Sequence, residues 1–201
     1  MTSGWRLTGL IAFVLGAMSL VLLASHGGDI EGIRLVIRAT ARTSLVLFVL
    51  AFTAGAMVEL APGGFTRWQR RNRRYLGVSF AVSHLIHLVA LVSLARVDPR
   101  LFWQLTSLAN IGFAGTAYLL LAAMTATSFD RAAAWLGGRK WRLLHLVGGW
   151  YIWISFAAAV AKRLPQGPVY WAMAALVLFA GIVRLIAMSR RTRKAVALST
   201  S

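Results

Sequence analysis

The sequence predicts an all-α, polytopic membrane protein, a bundle of six transmembrane helices with both termini in the cytoplasm. Of its 201 residues, 59% are hydrophobic, whereas soluble domains are about 45–50% apolar. The apolar residues are gathered into runs of about 20, the length needed to cross a hydrocarbon core of about 30 Å. Short basic clusters separate these runs, and no long polar segment is left for a water-soluble domain. We therefore expect a single transmembrane domain over residues 1–201.

The apolar runs and the turn residues between them predict helices at about residues 7–25, 33–61, 75–95, 101–126, 143–161 and 169–188. The first of these is similar to a signal peptide, because Arg6 precedes an apolar core. Its apolar run of about eighteen residues is longer than the usual signal-peptide core of about 7–15 residues. We therefore expect this helix to be retained as a membrane span.

The distribution of charge predicts how the bundle is oriented. The net charge is +17, and the basic residues are concentrated in the second loop, the fourth loop and the tail. They are Arg67, Arg70, Arg71, Arg73 and Arg74, then Arg131, Arg139, Lys140 and Arg142, then Arg190, Arg191, Arg193 and Lys194. Because cytoplasmic loops carry the excess of Lys and Arg, both termini are predicted to be cytoplasmic, in the inner (plasma) membrane. A nucleic-acid partner is disfavoured, since it requires a basic face on a soluble domain, whereas membrane lipids with anionic headgroups are expected contacts.

The absence of cysteine narrows the available chemistry. The chain has no Cys and four His, so disulfides, thiolate metal sites and iron–sulfur clusters are excluded. Any redox chemistry must come from a bound cofactor, and the histidines are the available strong nitrogen ligands. Glu59 and Asp130 both lie near the predicted cytoplasmic boundary, so the sequence indicates no catalytic acid–base pair.

Two histidines lie inside the third apolar run. His84 and His87 are three residues apart, so their side chains lie on neighbouring strips of one helix face. Ionisable groups inside a membrane helix are costly, face the bundle interior and mark functional sites by default. His145 lies near the start of the fifth helix, and His26 lies at the outer end of the first. The sequence therefore predicts a binding site that uses His84, His87 and His145.

Three arginines follow one another along the second helix. Arg34, Arg38 and Arg42 have i, i+4 spacing, which places them on one face. In one interpretation their guanidinium groups reach along the helix to the outer interface. In the other, Arg38 and Arg42 face the bundle and bind a carboxylate, such as a haem propionate or an anionic substrate. Arg42 lies about 12 Å further along the helix than Arg34, and both interpretations stay open.

Three patches of sequence carry a resemblance to a known family. The first is Ala41–Leu45, at the second helix. The second is Arg73–Gly77, a basic segment followed by Leu-Gly, with His87 ten residues past the glycine. The third runs from Thr127 to His145 in the pattern TS…LG…W…LH. In their order and spacing, and in the placement of the basic loops, these patches resemble the ferric-reductase-like transmembrane domain family.

The resemblance implies a function in electron transfer. It implies one or two b-type haems in the bundle, with His87 and His145 as axial ligands, and electron transfer within or across the bilayer to a partner, a metal or another oxidised acceptor. The chain has no Gly-rich dinucleotide-binding motif, so the electrons are expected from a separate flavin reductase or from quinol, with quinone as a further cofactor. A periplasmic or extracytoplasmic acceptor protein is the expected partner. The sequence departs from the family pattern at Ala158, where a second histidine of the fifth helix is usual.

The depth of the histidines favours a different ligand pair. The third and fifth helices both run outward, so His87 lies about 20 Å past Arg74, whereas His145 lies about 5 Å past Arg142. His84 reduces this difference to about 10 Å. Depth therefore favours His84 with His145 on one iron, the resemblance favours His87 with His145, and two five-coordinate haems are a third possibility.

A second functional class stays open. Histidines in membrane helices also form hydrogen bonds to neighbouring helices, and such contacts average about 0.6 kcal/mol. The alternative to a haem protein is therefore a haem-free membrane scaffold or an anion-binding membrane protein. The sequence does not decide whether the chain is an enzyme or the membrane electron-transfer subunit of an oxidoreductase.

Overall fold

The computed structural model describes residues 2–199, and over this range the protein is all-helical. Six helices are long and apolar enough to cross a membrane, which confirms the predicted six-span bundle. Three shorter helices and a 3₁₀ turn at Leu164–Gln166 complete this part of the chain. The helices are α1 Trp5–Ala24, α2 Ile30–Leu60, α3 Gly64–Arg71, α4 Arg73–Val97, α5 Pro99–Leu105, α6 Leu108–Ala126, α7 Asp130–Leu136, α8 Gly138–Ala161 and α9 Pro168–Ser199.

The three short helices were not predicted. The helices α3 and α7 lie within segments predicted as basic loops, and the predicted helix over residues 101–126 is wrong at its start, because α5 and α6 are separate. The Asp98 carboxylate accepts a hydrogen bond from the Leu101 backbone N–H at 2.9 Å, which begins α5. The Ser107 hydroxyl accepts one from the Asn110 N–H at 3.3 Å, which begins α6. Extended backbone at Thr106 and Ser107 breaks the helix between these two caps.

The last helix is also longer than its predicted span of residues 169–188. It continues through the basic segment at Arg190 and Arg191 to Ser199. Arginine has a high helix propensity, so the polar segment prolongs the helix after the apolar run has ended. Hydropathy therefore located the membrane span but underestimated the length of the helix.

The core of the bundle is a ring of helices filled by aromatic side chains. The helix α2 packs against α1, α4 and α9, while α6 and α8 close the ring between α4 and α9. The Phe48 ring lies at its centre, with ring centroids 4.9 Å from Phe52, 5.5 Å from Phe80 and 5.3 Å from Phe156. These phenyl rings come from α2, α4 and α8, so they fill the space between α4 and α8.

Polar contacts bring both ends of the described chain to one end of the bundle. The Gly4 N–H donates to the Asn72 side-chain oxygen at 3.0 Å, next to α3. Arg74 pairs with Asp130 at 2.9 Å. Arg191 of α9 pairs with Glu59, near the end of α2, at 2.7 Å. We call this end, with the basic segments 67–74, 131–142 and 190–193, the basic end. The opposite end contains the segments 25–29, 98–107 and 162–167.

The basic end is predicted to face the cytoplasm. Reporter fusions after Arg74 and after Arg142 should both report a cytoplasmic location, because basic loops are retained on that side. A fusion after Pro99, at the opposite end, should report an external location and serves as the internal control. An external signal after Arg74 together with a cytoplasmic signal after Pro99 would reverse the orientation.

Candidate functional site

His84 and His87 lie side by side on α4. Their ring centroids are 5.4 Å apart and the planes differ by 19°. Both side chains are half-buried, as the i, i+3 spacing predicted for a shared face. Because the rings stack on the same side of one helix, they cannot occupy opposite axial positions of a single metal ion.

The imidazole of His87 is held by α2. Its Nδ1 atom lies 3.1 Å from the Ile37 carbonyl oxygen and 3.1 Å from the Thr40 hydroxyl. A carbonyl oxygen only accepts hydrogen bonds, so these contacts assign the proton to Nδ1 and the lone pair to Nε2. In metal sites, a hydrogen bond from one ring nitrogen to a backbone carbonyl orients the other nitrogen as the ligand. His87 has this arrangement.

The imidazole of His84 lies among aromatic rings. Its centroid is 4.8 Å from Tyr118, 5.2 Å from Phe80 and 6.0 Å from Phe156. The Tyr118 hydroxyl donates to the His84 backbone oxygen at 3.3 Å. The His84 Nδ1 atom is enclosed and has no hydrogen-bond partner. Since buried polar atoms normally have a partner, this nitrogen is an unsatisfied atom within the aromatic surroundings of His84.

A network of hydroxyl groups on the basic-end side of His87 joins α4 to α2. The Ser83 hydroxyl lies 2.9 Å from the Ser44 hydroxyl and 3.1 Å from the Thr43 hydroxyl. It also donates to the Thr40 carbonyl at 3.4 Å. Thr40, Ser44 and Ser83 have no exposed surface. The network and the His87 contacts form one continuous polar layer between the two helices.

The structure does not bring His145 to this site. Phe156 of α8 lies level with His84, and His145 precedes Phe156 by eleven residues, which is about 16 Å along a helix. His145 instead packs against Trp141, with ring centroids 4.3 Å apart, and its Nε2 lies 3.5 Å from the Thr127 hydroxyl. Neither pairing of His145, with His84 or with His87, forms a common site. The separation along the bundle is larger than the roughly 10 Å predicted from depth, because α8 is shifted along its axis relative to α4.

His26 and Ala158, where the family usually has a histidine, also lie away from His84 and His87. His26 is exposed at the opposite end, with its Nδ1 3.0 Å from the Ser25 hydroxyl. Ala158 is exposed, whereas Phe156 and Val160 are buried. Residues two apart on a helix point about 200° apart, so position 158 faces away from the aromatic core. A histidine at this position would not face His84 or His87.

The arginine row on α2 does not face the histidines. Glu31 binds both Arg34, at 2.9 Å, and Arg38. Thr40 is the residue of α2 whose side chain contacts His87. Arg38 and Arg42 are each two residues from Thr40, so their side chains project about 200° away from it. Arg42 is exposed. Of the two interpretations of the arginine row, the geometry favours arginines that reach toward the interface, because Glu31 already binds Arg38 and both Arg38 and Arg42 lie on a different face from Thr40. Binding of a carboxylate by Arg38 and Arg42 stays a prediction.

Two polar residues, the half-buried Arg184 and the buried Gln69, were missed by the sequence analysis. Arg184, in the last span, donates from Nη1 to the Phe52 carbonyl at 3.0 Å, and its guanidinium carbon lies 4.4 Å from the Phe52 ring centroid. Its Nε has no hydrogen-bond partner. Gln69 of α3 is 2% exposed. A charge inside an apolar run was a signal for Arg184, whereas Gln69 is hidden among arginines and had none.

The donor set on α4 consists of two imidazoles from one helix. His87 offers an oriented Nε2, and neither this atom nor the His84 Nε2 is among the enclosed, unpartnered atoms of the described residues. Within residues 2–199, no group of three or more His, Cys, Asp or Glu could hold a metal ion, so a protein-only metal cage is not formed there. One imidazole is sufficient for a haem, because the porphyrin supplies the other iron ligands in its plane.

The fold defines a multi-pass membrane protein with a histidine pair inside the membrane. No protein-family model, curated protein or solved structure matches the chain. Its relation to ferric-reductase-like domains therefore stays a prediction that depends on the three sequence patches.

The hydroxyl network makes a prediction about stability. Ser83→Ala removes contacts to Thr43, Ser44 and the Thr40 carbonyl, and should lower the free energy of unfolding by about 0.6–1.7 kcal/mol, the range for interhelical hydrogen bonds in membranes. Ser93→Ala is the matched control on α4, because the Ser93 hydroxyl bonds only the Val89 carbonyl of its own helix. Unfolding in mixed detergent micelles measures both variants, and equal stability for the two would contradict a stabilising network.

Proposed function

We propose that this protein binds haem b through the α4 histidines and transfers electrons within or across the plasma membrane, with both termini in the cytoplasm. A separate flavin reductase or quinol supplies the electrons, and an extracytoplasmic protein or another oxidised acceptor receives them. The observation that carries the proposal is the hydrogen bonding of His87, whose Nδ1 is held by Ile37 and Thr40 while Nε2 stays unpaired.

Each residue of the site has a defined part in this function. His87 would hold the haem through Nε2, and the Ile37 carbonyl and the Thr40 hydroxyl fix its ring and its tautomer. Phe80, Tyr118 and Phe156 surround His84 and keep water from the site, and such burial is one of the features that set a haem potential. The bound haem supplies the one-electron chemistry that no side chain of this chain can perform.

The polar layer between α2 and α4 favours a second candidate, a haem-free membrane scaffold. The same Nδ1 contacts that orient His87 as a ligand also satisfy it as an interhelical hydrogen-bonding residue. In that function His87 stabilises the α2–α4 pair, and no bound group is required. An anion-binding protein is less favoured, because the Glu31 carboxylate already pairs with both Arg34 and Arg38.

Absorption spectroscopy distinguishes the two candidates. Protein purified after expression with added haem should show a Soret band. His87→Ala should abolish the band or greatly reduce haem content, because the haem would lose the imidazole that holds it. His145→Ala and His26→Ala should leave the spectrum unchanged, since these rings lie far from the α4 pair.

A further variant separates ligation from folding. Thr40→Val keeps the His87 Nε2 and removes one contact to Nδ1, so it should retain haem and shift its potential. A colourless wild-type protein would support the scaffold. A Soret band that requires His145 and not His87 would instead place the haem at α8, as the family resemblance implies for His145.

A further inference from the structure

An apolar cavity lies near the basic end, between α2, α3 and α9. Its volume is about 240 Å³. Val49 and Thr53 of α2 line the cavity and are buried. Phe65 of α3 and Phe179 of α9 also line it and are exposed. The exposed residues are large and apolar, so the cavity opens toward the hydrocarbon region and not toward the site at His84 and His87.

Gln69 gives this cavity a specific polar feature. Its side-chain nitrogen donates to the Leu50 carbonyl at 2.8 Å and to the Thr53 hydroxyl at 3.1 Å. A carbonyl only accepts hydrogen bonds, so the amide orientation is fixed, with nitrogen toward α2. Thr53 in turn donates to the Val49 carbonyl at 2.7 Å. The Thr53 hydroxyl therefore donates one hydrogen bond and accepts another within the protein.

The Gln69 side-chain oxygen is left without a partner. This atom is enclosed and accepts no hydrogen bond, although Gln69 itself lines the cavity. An unpaired buried acceptor costs about 1–3 kcal/mol. Among the described residues that line the cavity, Gln69 and Thr53 are the only polar ones. A ligand that donates one hydrogen bond and is otherwise apolar would complement this lining.

The volume limits the size of such a ligand. An apolar cavity of about 150 Å³ accommodates benzene, so the larger cavity here accommodates one substituted ring. An acyl chain has no donor and leaves the Gln69 oxygen unpaired. A ring with a hydroxyl group satisfies it.

We propose that the cavity between α2, α3 and α9 binds a membrane-soluble phenol or hydroquinone, whose hydroxyl donates to the Gln69 side-chain oxygen. The hydroxyl reaches this enclosed atom when the ligand displaces the side chains that cover it. The ligand enters sideways from the bilayer past Phe65 and Phe179. Because a quinone has no hydroxyl to donate, the site discriminates the reduced from the oxidised ring. Binding is independent of haem, and only a use of the ligand as electron donor rests on the proposed function.

The test compares para-decylphenol with its methyl ether, which has nearly the same shape and no donor. Each carries a terminal trifluoromethyl group, and fluorine NMR follows its binding to the full-length protein in lipid nanodiscs. The wild type should bind the phenol about tenfold more tightly than the ether, which corresponds to about 1.4 kcal/mol. Gln69→Leu should abolish this preference, and Gln104→Leu, the same change at an exposed position on α5, should preserve it.

A second variant tests the location without removing the contacts of Gln69 to α2. Val46→Phe, at an exposed lining position, adds volume at the cavity and should weaken the binding of both compounds. Equal affinity of the wild type for phenol and ether, or binding that Val46→Phe leaves unchanged, would overturn the proposal. The Soret band is recorded on the same samples, so failure of the ligand site and failure of haem binding are distinguishable.

Discussion

The packing of α2 against α4 is the interaction on which the rest of the structure depends. Thr40, Ser44, Ser79 and Ser83 are fully buried in the bundle. Small hydroxyl-bearing side chains let membrane helices approach closely and replace hydrogen bonds that lipid cannot provide. This pairing fixes the His87 ring, and through α4 it also sets the position of His84. The position of the histidine pair is therefore a consequence of helix pairing.

Whereas small side chains let α2 and α4 approach closely, large phenyl rings separate α4 from α8. Phe48, Phe80 and Phe156 keep these helices apart and set their relative depth. His145 consequently lies near the basic end, whereas His84 and His87 lie near the middle of α4. Aromatic packing thus decides which histidines can share a ligand, although the sequence shows only that three histidines occur on two helices.

The six spans could be predicted because each is encoded by a continuous apolar run. The short helices α3, α5 and α7 could not, since their residues are either polar and loop-like or continuous in hydropathy with the next span. The sequence was less informative about which neighbouring helix each helix face contacts. The i, i+3 spacing places His84 beside His87 within one helix, but it does not say which neighbour that face meets. For the same reason, the sequence did not show that Arg38 and Arg42 point away from His87, that Ala158 is exposed, or that Gln69 lines a cavity.

The contacts of α9 with α2 determine the order in which the bundle can be completed. Arg184 lies on Phe52, and Arg191 pairs with Glu59, so the second span and the last span close the ring together. During synthesis, the face of α2 that contains Phe52 and Glu59 must wait for more than a hundred residues before its partner is made. Until then this face meets lipid or the insertion machinery, and the Phe52 ring and the Glu59 carboxylate lack their final neighbours. The last helix therefore acts as the closing step of assembly, and a chain released before α9 is complete would expose an open bundle to membrane quality control.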